Sequence, residues 1–256
     1  MNLLRKTIAS KGSAVGTFLN VSTPSMVECL GYAGLDFVII DMEHGPYDTQ
    51  QAADLVAAAV RFDMAPLIRV ADLTHKDIQH AADSGAHGII IPCLRQVSEF
   101  RKAVELAKFA PLGSRGYFKA RGSGYGNEPW ASGSLEDYMR RSNEKLLLLP
   151  QCETAEALEH IEEITAIDGV DGIYIGPFDL SISLGVPGRF DHPVVKEAIE
   201  RIFRSCKKNG KLCMMFSASP EKCREYMDKG MEAVTSNIDM NVFTEAYRGI
   251  VSSIRG

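Results

Sequence analysis

Two acidic side chains, Glu153 and Asp179, each follow a short apolar run, LLLLPQ in the first case and GIYIGPF in the second. Carboxylates carried one strand apart at the same level can share a divalent cation, and hard oxygen donors suit Mg²⁺, Mn²⁺ or a similar ion. A third polar cluster, DMEHG at residues 41–45, follows the run FVII, and Arg69 lies at the end of PLIRV. The imidazole of His44 can accept a proton at working pH, because its ordinary pKa is about 6.5. The forked guanidinium of Arg69 can neutralise a carboxylate or an enolate oxygen. Each residue also has a plainer use. Glu153 suits the first turn of a helix in QCETAEALEHIEEI, Asp179 the N-cap of DLSISLG, His44 a turn, and Arg69 a salt bridge to Asp41 or Glu43. Recurrence favours chemistry, since the plainer uses would have to place four polar groups at one level by chance.

Such residues need elements that carry them to one place. Runs rich in Val, Ile and Leu alternate with stretches of helical period, the pattern of repeated βα units on a parallel sheet. The runs are AVGTFL at 14–19, DFVIID at 36–41, PLIRV at 66–70, GIIIP at 88–92, KLLLLPQ at 145–151, GIYIG at 172–176, KLCMMF at 211–216 and AVTS at 233–236. Eight runs in 256 residues predict an α/β fold, a closed (β/α)8 barrel occupying residues 1–256 as one domain. Barrel active sites form at the C-terminal ends of the strands, which is where His44, Arg69, Glu153 and Asp179 fall. Helices are predicted after Pro24, after a cap at Asp48 or Thr49, in THKDIQHAADSG, in SEFRKAVELAKFA, and in HPVVKEAIERIFRSCKKNG. Residues 110–130 have no helical period and carry Arg115, Tyr117, Arg121, Tyr125 and Trp130. A loop of that length is expected to pack over a site or against another subunit.

Composition narrows the function. A net charge of -5 gives no footprint for nucleic acid or anionic membrane, so a small-molecule substrate is expected. The six cysteines show no C-x-x-C spacing, MNLLRKTIASKG has no apolar stretch of signal-peptide length, and no segment of the sequence approaches a membrane span. Free thiols and a cytoplasmic location follow as expectations. Neither a P-loop nor a G-x-G-x-x-G turn occurs. Lys145 and Lys211 begin their runs, which places them at the wrong rim for a Schiff base.

GLDFVIIDMEHGPYD, PLIRV, PLGSRGYFKARGSGYG, LPQCETAEAL and GVDGIYIGPFDLSISLGVPG resemble, in order and spacing, the motifs of the HpcH/HpaI aldolase family, the metal-dependent pyruvate aldolases. The resemblance runs through nearly the whole chain. It implies a barrel of the phosphoenolpyruvate/pyruvate type, with a C-terminal helix at about 239–255 exchanged between subunits of a homo-oligomer, dimer to hexamer. It further implies that Glu153 and Asp179 bind the metal (Mg²⁺, Mn²⁺ or Co²⁺), that His44 is the base with Asp83 as its partner acid, and that Arg69 stabilises the enolate. Asp41 would order water near the base, Gln151 would flank the metal, and Gly176, Pro177, Phe178 and Asp179 would receive the carboxylate of a 2-oxo acid. The implied reaction is metal-dependent cleavage of a 4-hydroxy-2-oxo acid, such as a 2-keto-3-deoxy acid, to pyruvate and an aldehyde. Decarboxylation of oxaloacetate through the same enolate is the alternative within enzymes, and a silent barrel acting as a binding subunit the alternative outside them. Two positions depart from the family pattern, Phe178 where a small residue is frequent and Asn237 where glycine is usual. Both bear on which aldehyde is taken.

Overall fold

The computed structural model describes residues 2–256. Its strands are β1 (Ala14–Leu19), β2 (Phe37–Asp41), β3 (Ala65–Arg69), β4 (Gly88–Ile91), β5 (Leu147–Cys152), β6 (Gly172–Ile175), β7 (Leu212–Ser217) and β8 (Ala233–Ile238). They pair in parallel and in sequence order, and β1 closes on β8 through Ala14↔Ala233 and its neighbours, so the chain forms a closed (β/α)8 barrel. Strand limits depart from the apolar runs by two residues at most.

Side-chain alternation divides the apolar residues into two cores. Phe37 and Ile39 of β2 join Leu67, Leu147, Leu149 and Met214 inside the barrel, whereas Val38 and Ile40 pack outward under the helices. Burial on both faces explains why these strands are continuously apolar.

The helices are α1 (Leu3–Lys11), α2 (Pro24–Tyr32), α3 (Thr49–Arg61), α4 (His75–Asp83), α5 (Val97–Ala107), α6 (Leu135–Lys145), α7 (Ala155–Glu159), α8 (Ile161–Thr165), α9 (Pro177–Ser183), α10 (Pro193–Lys208), α11 (Pro220–Asp228) and α12 (Asp239–Arg255). Local chemistry sets their starts: Thr23 caps α2 ahead of Pro24, and Asp48 with Gln51 forms a reciprocal capping box on α3. The face of α10 read from the sequence, Val195, Ala198, Ile199 and Ile202, is buried. No described helix is long and apolar enough to cross a membrane.

Helix α1 was not expected from the sequence. It seats Leu4, fully buried, in the inner core at the end where the strands begin. Asn2 caps it and donates to the carbonyls of His87 (2.6 Å) and Lys145 (2.7 Å), which ties it to the starts of β4 and β5. His87 accepts the Leu3 N–H at Nδ1 (3.1 Å), and burial, with the Lys145 charge nearby, holds its pKa down to about 4. The unfolded chain therefore binds more protons between pH about 6.5 and about 4, and stability falls as pH falls through that window. The loss should be on the order of 3 kcal/mol. Urea unfolding across that range measures it, and His87→Gln should flatten the profile; an unchanged slope in the variant would remove His87 as the cause.

Helix α12 leaves the barrel. Asp239 at its start is buried, but Phe243, Tyr247, Ile250 and Ile254 beyond it are exposed, Ile254 by 79%.

Candidate active site

The strand alternation that fills the interior continues one step beyond it and turns polar. After Phe18 comes Asn20, after Ile39 Asp41, after Leu67 Arg69, and after Leu149 first Gln151 and then Glu153. Asn20, Asp41, Arg69 and Gln151 line a cavity of 240 Å³ at the barrel mouth, together with His44 and Asp179.

Arg69 anchors one side of it. Its Nε and one terminal nitrogen donate to the two oxygens of Asp41 (2.8 and 2.7 Å), and the other terminal nitrogen stands 3.1 Å from Glu43. The guanidinium also lies 4.7 Å from the centre of the Phe18 ring. Three of the five guanidinium hydrogens are thereby used, and two remain for an oxygen in the cavity. Asp41 is 1% exposed, and besides Arg69 it accepts from Asn20 Nδ2 (2.9 Å) and from the Glu43 and His44 N–H groups. Burial pushes its pKa up, but the Arg69 fork outweighs this and holds the carboxyl below its usual value. Asn20 is fixed in turn by Asp239, which accepts from the backbone of Asn20 and Val21 and from the Ser22 hydroxyl.

The acids lie on the other side. Glu153 is 3% exposed, accepts the Cys93 N–H (2.6 Å) and contacts the Gln151 amide nitrogen. Burial raises its pKa, the Cys93 bond opposes this, and the negative charges of Asp179 and Glu43 raise it further. Asp179 stands in the first turn of α9, after the strand that pairs with β5. A Cβ on Gly176 would come within 2.6 Å of both Glu153 Oε2 and Gln151 Nε2, so glycine keeps the space above them open. The buried amide oxygens of Asn20 and Gln151 have no partner among the described residues. Converging carboxylates, orphaned amide oxygens and a glycine-sized gap fit a hard divalent cation. No three His, Cys, Asp or Glu side chains among the described residues form a ligand set by themselves. Glu153 and Asp179 would thus hold the ion, with water or substrate oxygens completing its shell.

Several expectations are corrected by the geometry. Asp83 does not meet His44 within the chain: α4 runs antiparallel to the strands, so its last residue lies where β4 begins, and Asp83 pairs there with Arg115 (2.8 Å) and Gln79 (2.7 Å). Asp41 is saturated by protein donors, which makes it a holder of Arg69 and the 43–44 turn instead of a holder of water. Residues 110–130 do not pack over the mouth cavity; Arg121 bonds the Ala53 carbonyl of α3, Arg115 pairs with Asp83 of α4, and Trp130 stacks on Tyr138 of α6. Asn237 has a φ of 61°, a left-handed conformation that asparagine tolerates and glycine adopts freely. Its backbone explains that departure, and it does not line the cavity. His44 is at the mouth, 66% exposed, 3.7 Å from Glu43.

Asn20, Cys93 and Asp239 were not expected in the site. Asn20 is the polar residue directly after an apolar run, the same signal that marked Arg69 and Glu153. The role of the Cys93 backbone had no sequence signal.

The profile of the HpcH/HpaI aldolase/citrate lyase family matches residues 14–246. A hydroxypyruvate/pyruvate aldolase of Cupriavidus necator is 30% identical over 254 residues, 99% of this chain and 93% of that protein. A 2-keto-3-deoxy-L-rhamnonate aldolase of Salmonella typhi is 30% identical over 96% of this chain and 90% of its own length. The crystal structure of an HpcH/HpaI aldolase/citrate lyase family protein from Burkholderia cenocepacia superposes with a TM-score of 0.89 at 28% identity, covering 100% of both chains.

Proposed function

The chain belongs to the HpcH/HpaI aldolase/citrate lyase family and is an aldolase, and we propose that it cleaves a 4-hydroxy-2-oxo acid to pyruvate and an aldehyde with the help of a divalent metal. The observation that carries this reading is Glu153, a buried carboxylate whose negative neighbours are Asp179 and Glu43. Arg69 answers Glu43, which leaves Glu153 and Asp179, beside the orphaned Gln151 oxygen and the gap at Gly176, for a further cation. When bound, Mg²⁺, Mn²⁺ or Co²⁺ would polarise the substrate's keto oxygen as a Lewis acid.

The chain's own residues do the rest. Arg69 offers its two remaining N–H groups to the oxygen on which charge develops, in a site where fixed donors contribute most because little water competes. Asp41 and Glu43 keep that guanidinium aimed. His44, at the open side, takes the C4 hydroxyl proton; the C3–C4 bond breaks, its electron pair passes into the enolate, and C3 is then protonated to give pyruvate. Gln151 and the backbone of the turn from Gly176 through Pro177, Phe178 and Asp179 form the floor that receives the carboxylate end, which leaves the Phe178 ring to the other half of the substrate. Condensation is the same path reversed.

Most helical stability comes from packing an apolar face, and that of α12, with Phe243, Tyr247, Ile250 and Ile254 exposed, calls for a cover. The proposal therefore includes exchange of α12 between subunits of a homo-oligomer. All six cysteines are unpaired, which suits a reducing compartment such as the cytoplasm.

Metal-stripped protein, resupplied with Mg²⁺, Mn²⁺ or Co²⁺, should release pyruvate from 4-hydroxy-2-oxo acids faster than from oxaloacetate. Faster release from oxaloacetate would make decarboxylation the main reaction. No metal-dependent release from either would sink the proposal.

A further inference from the structure

The mouth cavity is small, 240 Å³ against about 300–1,000 Å³ for ordinary ligand pockets. Next to it lies a cavity of 730 Å³ between α10, α11 and the end of β7, lined by Phe190, Phe203, Met215 and Tyr226 among others. Both cavities are bounded by the same three side chains, Pro177, Phe178 and Phe216. Proline is short and fixed, and Phe216 is 8% exposed in the barrel core. The movable part of the partition is Phe178, which is 50% exposed. Its ring packs edge-on to Phe190 (centroids 4.8 Å apart, planes at 79°) and tilts against Phe216 at 5.9 Å.

The rest of the mouth defines what can stand beside Phe178. Phe18, Phe216, Ile238 and Met240 give it apolar walls, and Arg69 is the one Lys or Arg among the described residues lining it. Three of that guanidinium's hydrogens are committed to Asp41 and Glu43, and the proposed reaction gives the other two to the developing enolate oxygen. A second carboxylate or a phosphate on the aldehyde half would enter without a free partner in a mouth that also holds Asp179, which disfavours it.

We propose that Phe178 is the specificity-determining residue on the aldehyde side, closing the mouth against the neighbouring cavity so that the enzyme takes short, uncharged aldehydes. This rests on the aldolase reading above. One methylene in an apolar pocket is worth about 10- to 200-fold in discrimination, so removing a whole ring has ample leverage.

The test is condensation of pyruvate with acetaldehyde, butanal, hexanal and glyoxylate by the metal-loaded enzyme, scored as ratios of kcat/KM. The wild type should favour acetaldehyde over both hexanal and glyoxylate. Phe178→Ala should raise the hexanal/acetaldehyde ratio by about tenfold or more, and Phe178→Trp should lower it. Because the ring is half exposed, neither change threatens the fold, and far-ultraviolet circular dichroism checks this. Ratios unchanged in both variants, or a wild-type preference for glyoxylate or hexanal, would overturn the proposal. Exchange of pyruvate methyl protons with heavy water separates the two levels. If the wild type exchanges but the ratios do not move, only the role of Phe178 falls; if it does not exchange, the aldolase reading and this inference fall together.

Discussion

Arg69→Lys is expected to reduce kcat/KM for pyruvate release by about 10²- to 10³-fold, the usual cost of removing a fixed donor from a developing negative charge. Lysine keeps the charge but not the fork. Its three donors leave from one nitrogen, so it cannot hold both Asp41 oxygens and Glu43 while presenting hydrogens to an oxygen in the cavity. Stability and catalysis come apart in a second pair of variants. Arg69→Ala leaves Asp41, 1% exposed, without its counter-ion, and should cost about 3–5 kcal/mol of unfolding free energy. Adding Asp41→Asn should restore much of that loss, because a neutral amide can keep its oxygen on the Glu43 and His44 N–H groups and donate to Asn20 Oδ1 once that amide turns over, yet it should restore none of the activity. Urea unfolding and steady-state kinetics on the three proteins give the cycle. Recovery of activity in the double variant would mean that Arg69 only neutralises Asp41.

Glu153→Gln should show an opposite pairing, with activity lost and the metal-free protein made more stable. The carboxylate is buried beside Asp179 and Glu43, and its folded pKa is raised above the usual value of 4.5. A raised folded pKa means that the folded state binds more protons, so the stability linked to this group is present in acid and is lost as pH rises through the folded pKa. The amide variant carries no such penalty. Its melting temperature should therefore exceed that of the metal-free wild type near neutrality, and the two should converge as pH falls toward about 4.5. Saturating Mg²⁺ or Mn²⁺ should stabilise the wild type and not the variant, while metal-dependent pyruvate release drops by about a hundredfold or more. Equal response of both proteins to metal would remove Glu153 from the binding set.

The barrel was legible because a parallel strand buried on both faces writes itself as an uninterrupted apolar run, and eight of them leave one closed arrangement. The positions of Arg69 and Glu153 were legible for a related reason, since each stands at or just past the end of such a run, and Asp179 follows β6 by one turn of α9. Asp83 does not reach His44 of its own chain because similarity to a motif conveys position along the chain and not which end of the barrel a helix terminus reaches. Residues 110–130 carry no α-helix, as their lack of helical period implies, only short 3-10 turns at Arg121–Gly126 and Pro129–Ala131, and aromatic and basic composition alone does not give the side of the barrel on which they lie. Asn237 shows that a departure in residue type can be absorbed entirely by φ. The Cys93 N–H on Glu153 was invisible, since a backbone donor carries no residue code.

Asp239 gives α12 a second attachment besides its chain connection to β8. The residue that begins the projecting helix also holds the backbone of Asn20 and Val21, Asn20 holds Asp41, and Asp41 holds Arg69. The start of α12 cannot shift without loosening the first link of that relay. A helix whose outer face is exposed is thus mechanically wired to the aim of the guanidinium, so a pull on α12 would be felt in the chemistry as a change in turnover.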